Sequence, residues 1–113
     1  MHFQAQMTVR LKQPVAIVEK GKQHQGKVTG YLIVVWVNAE KLSAATQLAE
    51  ETALNPKDAD GKRIKYKGYV EEAEIQAIEK NQVPEEILAT AGDIDRQGVY
   101  ASTALMFFEH EEE

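Results

Sequence analysis

The 113 residues are 43% hydrophobic and 27% charged, with a net charge of −5, a composition that suits one globular domain built on one core. The sequence contains no cysteine, so a disulfide scaffold, thiolate zinc or iron–sulfur ligation and a cysteine nucleophile are excluded.

Phe3, Ala5, Met7, Val9 and Leu11 alternate with Gln4, Gln6, Thr8, Arg10 and Lys12, the period-2 pattern of a half-buried strand. Pro14 has no N–H to give to a ladder. Val15-Ala16-Ile17-Val18 is therefore expected to be a bent continuation or a second short strand, at an edge. Residues 21–27 are polar and bracketed by Gly21 and Gly26, which reads as a hairpin loop. The stretch 28–37 follows as a strand. Its second half is apolar on both faces, which predicts a central position covered on both sides.

Asn38 is placed to cap a helix over about 39–54, in which Leu42, Ala45, Leu48, Ala49 and Ala53 form one stripe. Asn55-Pro56 ends it, because proline disfavours α geometry in the residue before it. Asp58-Ala59-Asp60-Gly61 reads as a turn. Ile64, Tyr66, Gly68 and Val70 then alternate with Lys65, Lys67, Tyr69 and Glu71 as another strand running towards Ile75. Residues 71–80 fit a strand or a helix equally well, since Ala73, Ala77 and the glutamates are good helix formers. Pro84 opens a short helix over about 84–90, stopped by Gly92. After a turn at 93–98, residues 99–108 are apolar on both faces and are expected as one strand, lying centrally beside 28–37. The acidic tail 109–113 is expected to fray by self-repulsion. The fold class predicted is a single α+β domain over 1–113. It is a mostly antiparallel sheet of about four to five strands, with one long helix (about 39–54) and one short helix (about 84–90) packed on it.

Few residues stand in patterns that carry chemistry. His2, His24 and His110 have no metal-ligand spacing. Asp58-x-Asp60-Gly61 is close to a calcium loop, but Pro56 then occupies the first ligand position and Lys67 the position of the bidentate glutamate. Ser43 and Ser102 lie outside any nucleophile elbow, and no glycine-rich phosphate cradle is present. Lys62-Arg63-Ile64-Lys65-Tyr66-Lys67-Gly68-Tyr69 interleaves basic and aromatic residues. Tyr66 and Tyr69 differ by an odd number, however, so they face opposite sides of a strand, and Glu71, Glu72 and Glu74 add repulsion for a phosphate backbone. Acid–base candidates are Glu71, Glu72 and Glu74, the last two on one strand face, and the Asp93/Asp95/Arg96 turn. Solvated charge is the simpler account of them. The expectation is no catalytic, cofactor-binding or metal site and no cofactor, with nucleic acid disfavoured as a partner.

No run of apolar residues approaches the 18 or so of a membrane helix, and the segment from Met1 to Gln6 has no secretory leader pattern, so a cytoplasmic location is expected. Charge is divided unevenly. Residues 1–67 hold 11 Lys and Arg against 6 acids, a net of +5, whereas 68–113 hold 2 against 12, a net of −10. Such halves suit internal pairing, head-to-tail association or a charged partner.

The order of an alternating first strand, a strand entering Val37-Asn38-Ala39-Glu40, the Gly61-Lys62-Arg63-Ile64-Lys65-Tyr66 strand and a final Gly98-Val99-Tyr100-Ala101-Ser102 strand resembles small uncharacterised bacterial domains of unknown function. That resemblance implies an α+β fold and carries no activity or site residue. The function expected is a non-enzymatic module that binds a protein partner or itself as a homodimer, through the sheet face away from the main helix. The alternative is a small enzyme or ligand-binding domain with a pocket between helix and sheet.

Overall fold

The computed structural model describes residues 1–19, 22–55, 68–103 and 105–110, with backbone placement alone for 14–19, 22–27 and 109–110. The turn expected at 58–61, the strand residues 64–67 and the end of the acidic tail lie outside the described residues. The fold is α+β, a five-stranded sheet with helices packed on it. The strands are β1 (His2–Glu19), β2 (Lys22–Asn38), β3 (Gly68–Ile78), β4 (Gly98–Ser102) and β5 (Met106–His110). The helices are α1 (Leu42–Leu54) and α2 (Glu85–Ala91), the latter preceded by a 3-10 turn over Lys80–Gln82. The order is β3-β1-β2-β4, with β5 also on β2, and every pair is antiparallel.

Parity decides what each strand buries. The β1–β2 register sets Phe3 against Val37, Ala5 against Val35, Met7 against Ile33 and Val9 against Tyr31, so the odd residues of both strands share one face. All eight are buried, and they form the core with Ala45, Ala49 and Ala53 of α1. Those alanines recur every four residues, and their small side chains let the helix backbone approach the sheet closely. Tyr31, fully buried, donates its hydroxyl hydrogen bond to the Ala53 carbonyl and stacks edge-on against Phe107, 6.2 Å between ring centroids.

Several expectations need correction. α1 starts at Leu42 with Lys41 at its N-cap, and no side chain caps it. Asn38 instead ends β2, where its amide donates to the carbonyls of Ile94 (3.1 Å) and Asp95 (3.0 Å). Its NH2 ties down the turn before β4, and its side-chain oxygen, the atom a helix cap would use, accepts instead from the Met1 amino group (3.2 Å). The 71–80 ambiguity resolves as strand as far as Ile78, because pairing with β1 satisfies the backbone that helix propensity alone would have coiled. The segment expected at an edge, 15–18, is the far end of β1 and among the described residues pairs with β2 alone, consistent with that expectation, while the body of β1 from His2 to Arg10 is flanked by both β2 and β3. Residues 22–27 continue the hairpin as strand rather than loop.

The expected strand 99–108 is two strands on one flank of β2, not a central one. Val35 pairs with Ser102 and Leu32 with Met106, so three steps along β2 match four along its partner. The extra residue is a bulge that breaks the ladder and reverses parity. Thr103 bridges the break: its N–H donates to the Val34 carbonyl (2.9 Å) and its hydroxyl accepts from the Val34 N–H (3.0 Å).

Candidate functional site

The even-numbered face of the sheet, opposite α1, is where the chain presents an organised surface. Each row follows from the strand registers. From β3 to β5 the first row runs Tyr69, Arg10, Gly30, Phe108, and the next Glu72, Thr8, Leu32, Met106. The third sets Glu74 beside Gln6 and Val34, and the fourth sets Gln76, Gln4, Trp36 and Ala101 side by side. The face therefore grades from acidic at β3, through amide and hydroxyl groups on β1, to apolar on β2 and β5.

The apolar side is open. Met106 is 48% and Phe108 36% exposed, and Leu32 and Val34 are half-buried. Trp36 is the exception at 5%. It lies two residues from Asn38 on the same face, and Asn38 anchors the 94–95 turn. Trp36, Val83 and Ile94 are buried outside the α1 core, so the segment between β3 and β4 supplies the cover at this end of the second face. The Trp36 Nε1 is buried there without a hydrogen-bond partner among the described residues.

Arg10 joins the two sides. Its Nε donates to a Glu71 carboxylate oxygen at 2.6 Å, and its guanidinium carbon stands 5.8 Å from the Phe108 ring centroid, within cation–π range. Between Arg10 and Phe108 lies Gly30, whose missing side chain opens the path. A Cβ on Gly30 would collide with the Val9 carbonyl oxygen, so the position admits glycine alone. On the β3 side, Gln4, Gln6, Glu74 and Gln76 border a shallow depression of about 410 Å³.

Glu72 and Glu74 do share this face, exposed, while Glu71 sits at the bulge where Thr8 pairs with Glu72 and Val9 with Val70. Asp95 pairs with Lys80 at 3.0 Å, and the Asp93 side chain accepts the Asp95 N–H at 3.0 Å. These two carboxylates build a turn far from Glu72 and Glu74 in the strand registers, so the acid–base candidates are not assembled into one centre. His2 Nδ1 lies 3.2 Å from the Tyr100 hydroxyl, with the rings edge-on at 5.6 Å. Partial burial pushes the Tyr100 phenol above its ordinary 10.0. His110 ends β5 opposite Lys27. Ser43 lies in the first turn of α1 and Ser102 on β4, both exposed. Among the described residues no three His, Asp or Glu side chains cluster as metal ligands. Of the basic-aromatic stretch, only Gly68 and Tyr69 are described; Tyr69 is half exposed beside Arg10.

The space between α1 and the sheet, where a ligand pocket was the alternative, is filled by Ala45, Ala49 and Ala53 against Met7, Val9 and Val35, none more than 1% exposed. No described helix is long and apolar enough to cross a membrane. No protein-family model, curated protein or solved structure matches this chain.

The Arg10–Phe108 contact and the Gln4/Gln6/Gln76 depression were not foreseen in the sequence. Alternation placed Arg10 and the glutamines on the polar side of β1, but which strands flank β1 follows from long-range pairing that no local signal states.

Proposed function

We propose that the chain is a non-enzymatic interaction module that self-associates through the sheet face opposite α1. The observation that carries this reading is the open apolar group of Leu32, Val34, Met106 and Phe108 on that face. Covering it against a second copy would remove apolar surface from water at roughly 25 cal/mol per Å² before association costs. Its acidic and amide surroundings form the polar rim usual around such a patch.

Light scattering at micromolar concentration tests this. The expected result is a dimer that reverts to a 12.7 kDa species in Met106→Asp or Phe108→Asp, each exposed enough to accept aspartate without unfolding. A wild-type chain that stays at 12.7 kDa over the accessible concentrations ends the proposal.

A further inference from the structure

We infer that the outer edge of β3 is a docking strand for an extended, basic segment of a separate protein, which joins the sheet as a sixth strand; this rests on the interaction-module reading above. Three features converge on it. β3 runs for 11 residues, Gly68–Ile78, about twice the usual strand length, and among the described residues it pairs with β1 alone. Its outward backbone N–H and C=O groups therefore have no ladder partner among the described residues, the condition for adding a strand. From Glu72 to Ile78 its register with β1 is unbroken, and it holds neither proline nor lysine, the residues that usually blunt such an edge.

The side chains state what the added strand must carry. On the open face the edge offers Glu72 and Glu74, both exposed and without an ion pair among the described residues, followed by Gln76. On the α1 side it offers Ala73, Ile75 and Ala77, of which Ala73 and Ala77 are exposed despite being apolar. A complementary strand alternates, with lysine or arginine beside the glutamates and apolar residues beside the alanines. A second β3 is a poor occupant. In the fully overlapped antiparallel register, centred on Ala73, Glu72 of one copy faces Glu74 of the other twice over, and like charges directly opposite destabilise a pair. Centred on Ile75 instead, two copies of the unbroken stretch 72–78 would set Glu74 against Gln76 and Glu72 against Ile78, free of that repulsion but with both carboxylates left without a counter-charge, so the glutamates favour a basic strand over a second copy.

The test uses the full chain and a peptide of about six residues alternating lysine and valine, the length of an ordinary strand, titrated by calorimetry or fluorescence anisotropy. Binding is expected to weaken about tenfold in Glu72→Lys/Glu74→Lys, and less in Glu72→Gln/Glu74→Gln, because two cross-strand charge pairs are reversed or removed. It should be unchanged in Met106→Asp, which reports on the other surface. The same peptide N-methylated at every amide keeps its charge and has neither edge free to pair with β3, so it should not bind. Equal binding of the methylated peptide, or indifference to Glu72→Lys/Glu74→Lys, overturns the edge assignment. A chain that dimerises yet takes up no peptide overturns it while leaving the module reading intact. A wild-type dimer lost in Glu72→Lys/Glu74→Lys and kept in Met106→Asp overturns it in favour of a second copy at this edge.

Discussion

Gly30 and Trp36 are the two positions on the open face where a single side chain decides local packing. At Gly30 the obstacle is the Val9 carbonyl, part of the β1 backbone, which cannot swing aside as a flexible side chain would. Gly30→Ala is expected to cost about 1–3 kcal/mol, the range for overpacking, and to separate Arg10 from Phe108; chemical denaturation measures the first. Trp36→Phe should be tolerated better than a large-to-small change at Tyr31 or Met7. The lost indole area is offset by removing a buried N–H that has no partner among the described residues, worth roughly 1–3 kcal/mol. Tyr100 has a folded-state pKa above its ordinary 10.0 because burial disfavours the phenolate. The unfolded chain therefore loses this proton first as pH rises. The contribution to stability is fully present below pH 10.0 and declines as pH climbs from there through the raised folded value. Thermal melts across that range should show a shallower alkaline loss in Tyr100→Phe than in the wild type, and an unchanged slope would contradict the assignment.

The elements show how tertiary bonds displace local preference. Asn38 immediately precedes residues of good helix propensity and has the side chain of an N-cap, yet its oxygen accepts from the Met1 amino group while its NH2 donates to Ile94 and Asp95, and α1 begins three residues late with Lys41 uncapped. No acidic residue stands in the first turn of α1. Lys41→Asp should thus stabilise the protein by about 0.5–2 kcal/mol, through a cap hydrogen bond and a favourable charge at the positive end of the helix dipole. A melting temperature that does not rise would show that another group already serves that end. Of the stripe evident from spacing, Leu42, Ala45, Leu48, Ala49 and Ala53, the three alanines are buried and Leu42 at the helix start is 54% exposed; the tightness at the alanines is a consequence of the sheet beneath. Ala49, at 0% exposure, has no room for further methylenes. β4 and β5 illustrate the converse, for the two-sided apolarity of 99–108 came from a bulge that turns Phe107 into the core and leaves Met106 and Phe108 outside. Apolarity on both faces usually signals a strand with both sides covered. Here it marks a strand whose parity reverses.

Charge is distributed over the molecule by topology. The acidic half supplies β3 on one flank and β4 and β5 on the other, while β1 and β2 from the basic half run between them. Among the described residues the ion pairs are Arg10–Glu71 and Lys80–Asp95, both solvent-exposed, so each contributes about 0–1 kcal/mol. Among the described residues, internal pairing offsets little of the asymmetry. Sedimentation over a salt series should show association that weakens as the Debye length falls below about 8 Å; assembly indifferent to salt would assign it to the apolar group alone. Alternation in 3–11 and the alanine spacing in 42–53 were enough to settle the core face of β1 and the buried face of α1, because side-chain direction follows from period alone. They could not settle the strand order, the burial of Trp36 or the exposure of the β3 edge. Those depend on which backbone meets which across the sheet, and the hydrogen bonds that choose partners link residues dozens of positions apart, where no local pattern reaches.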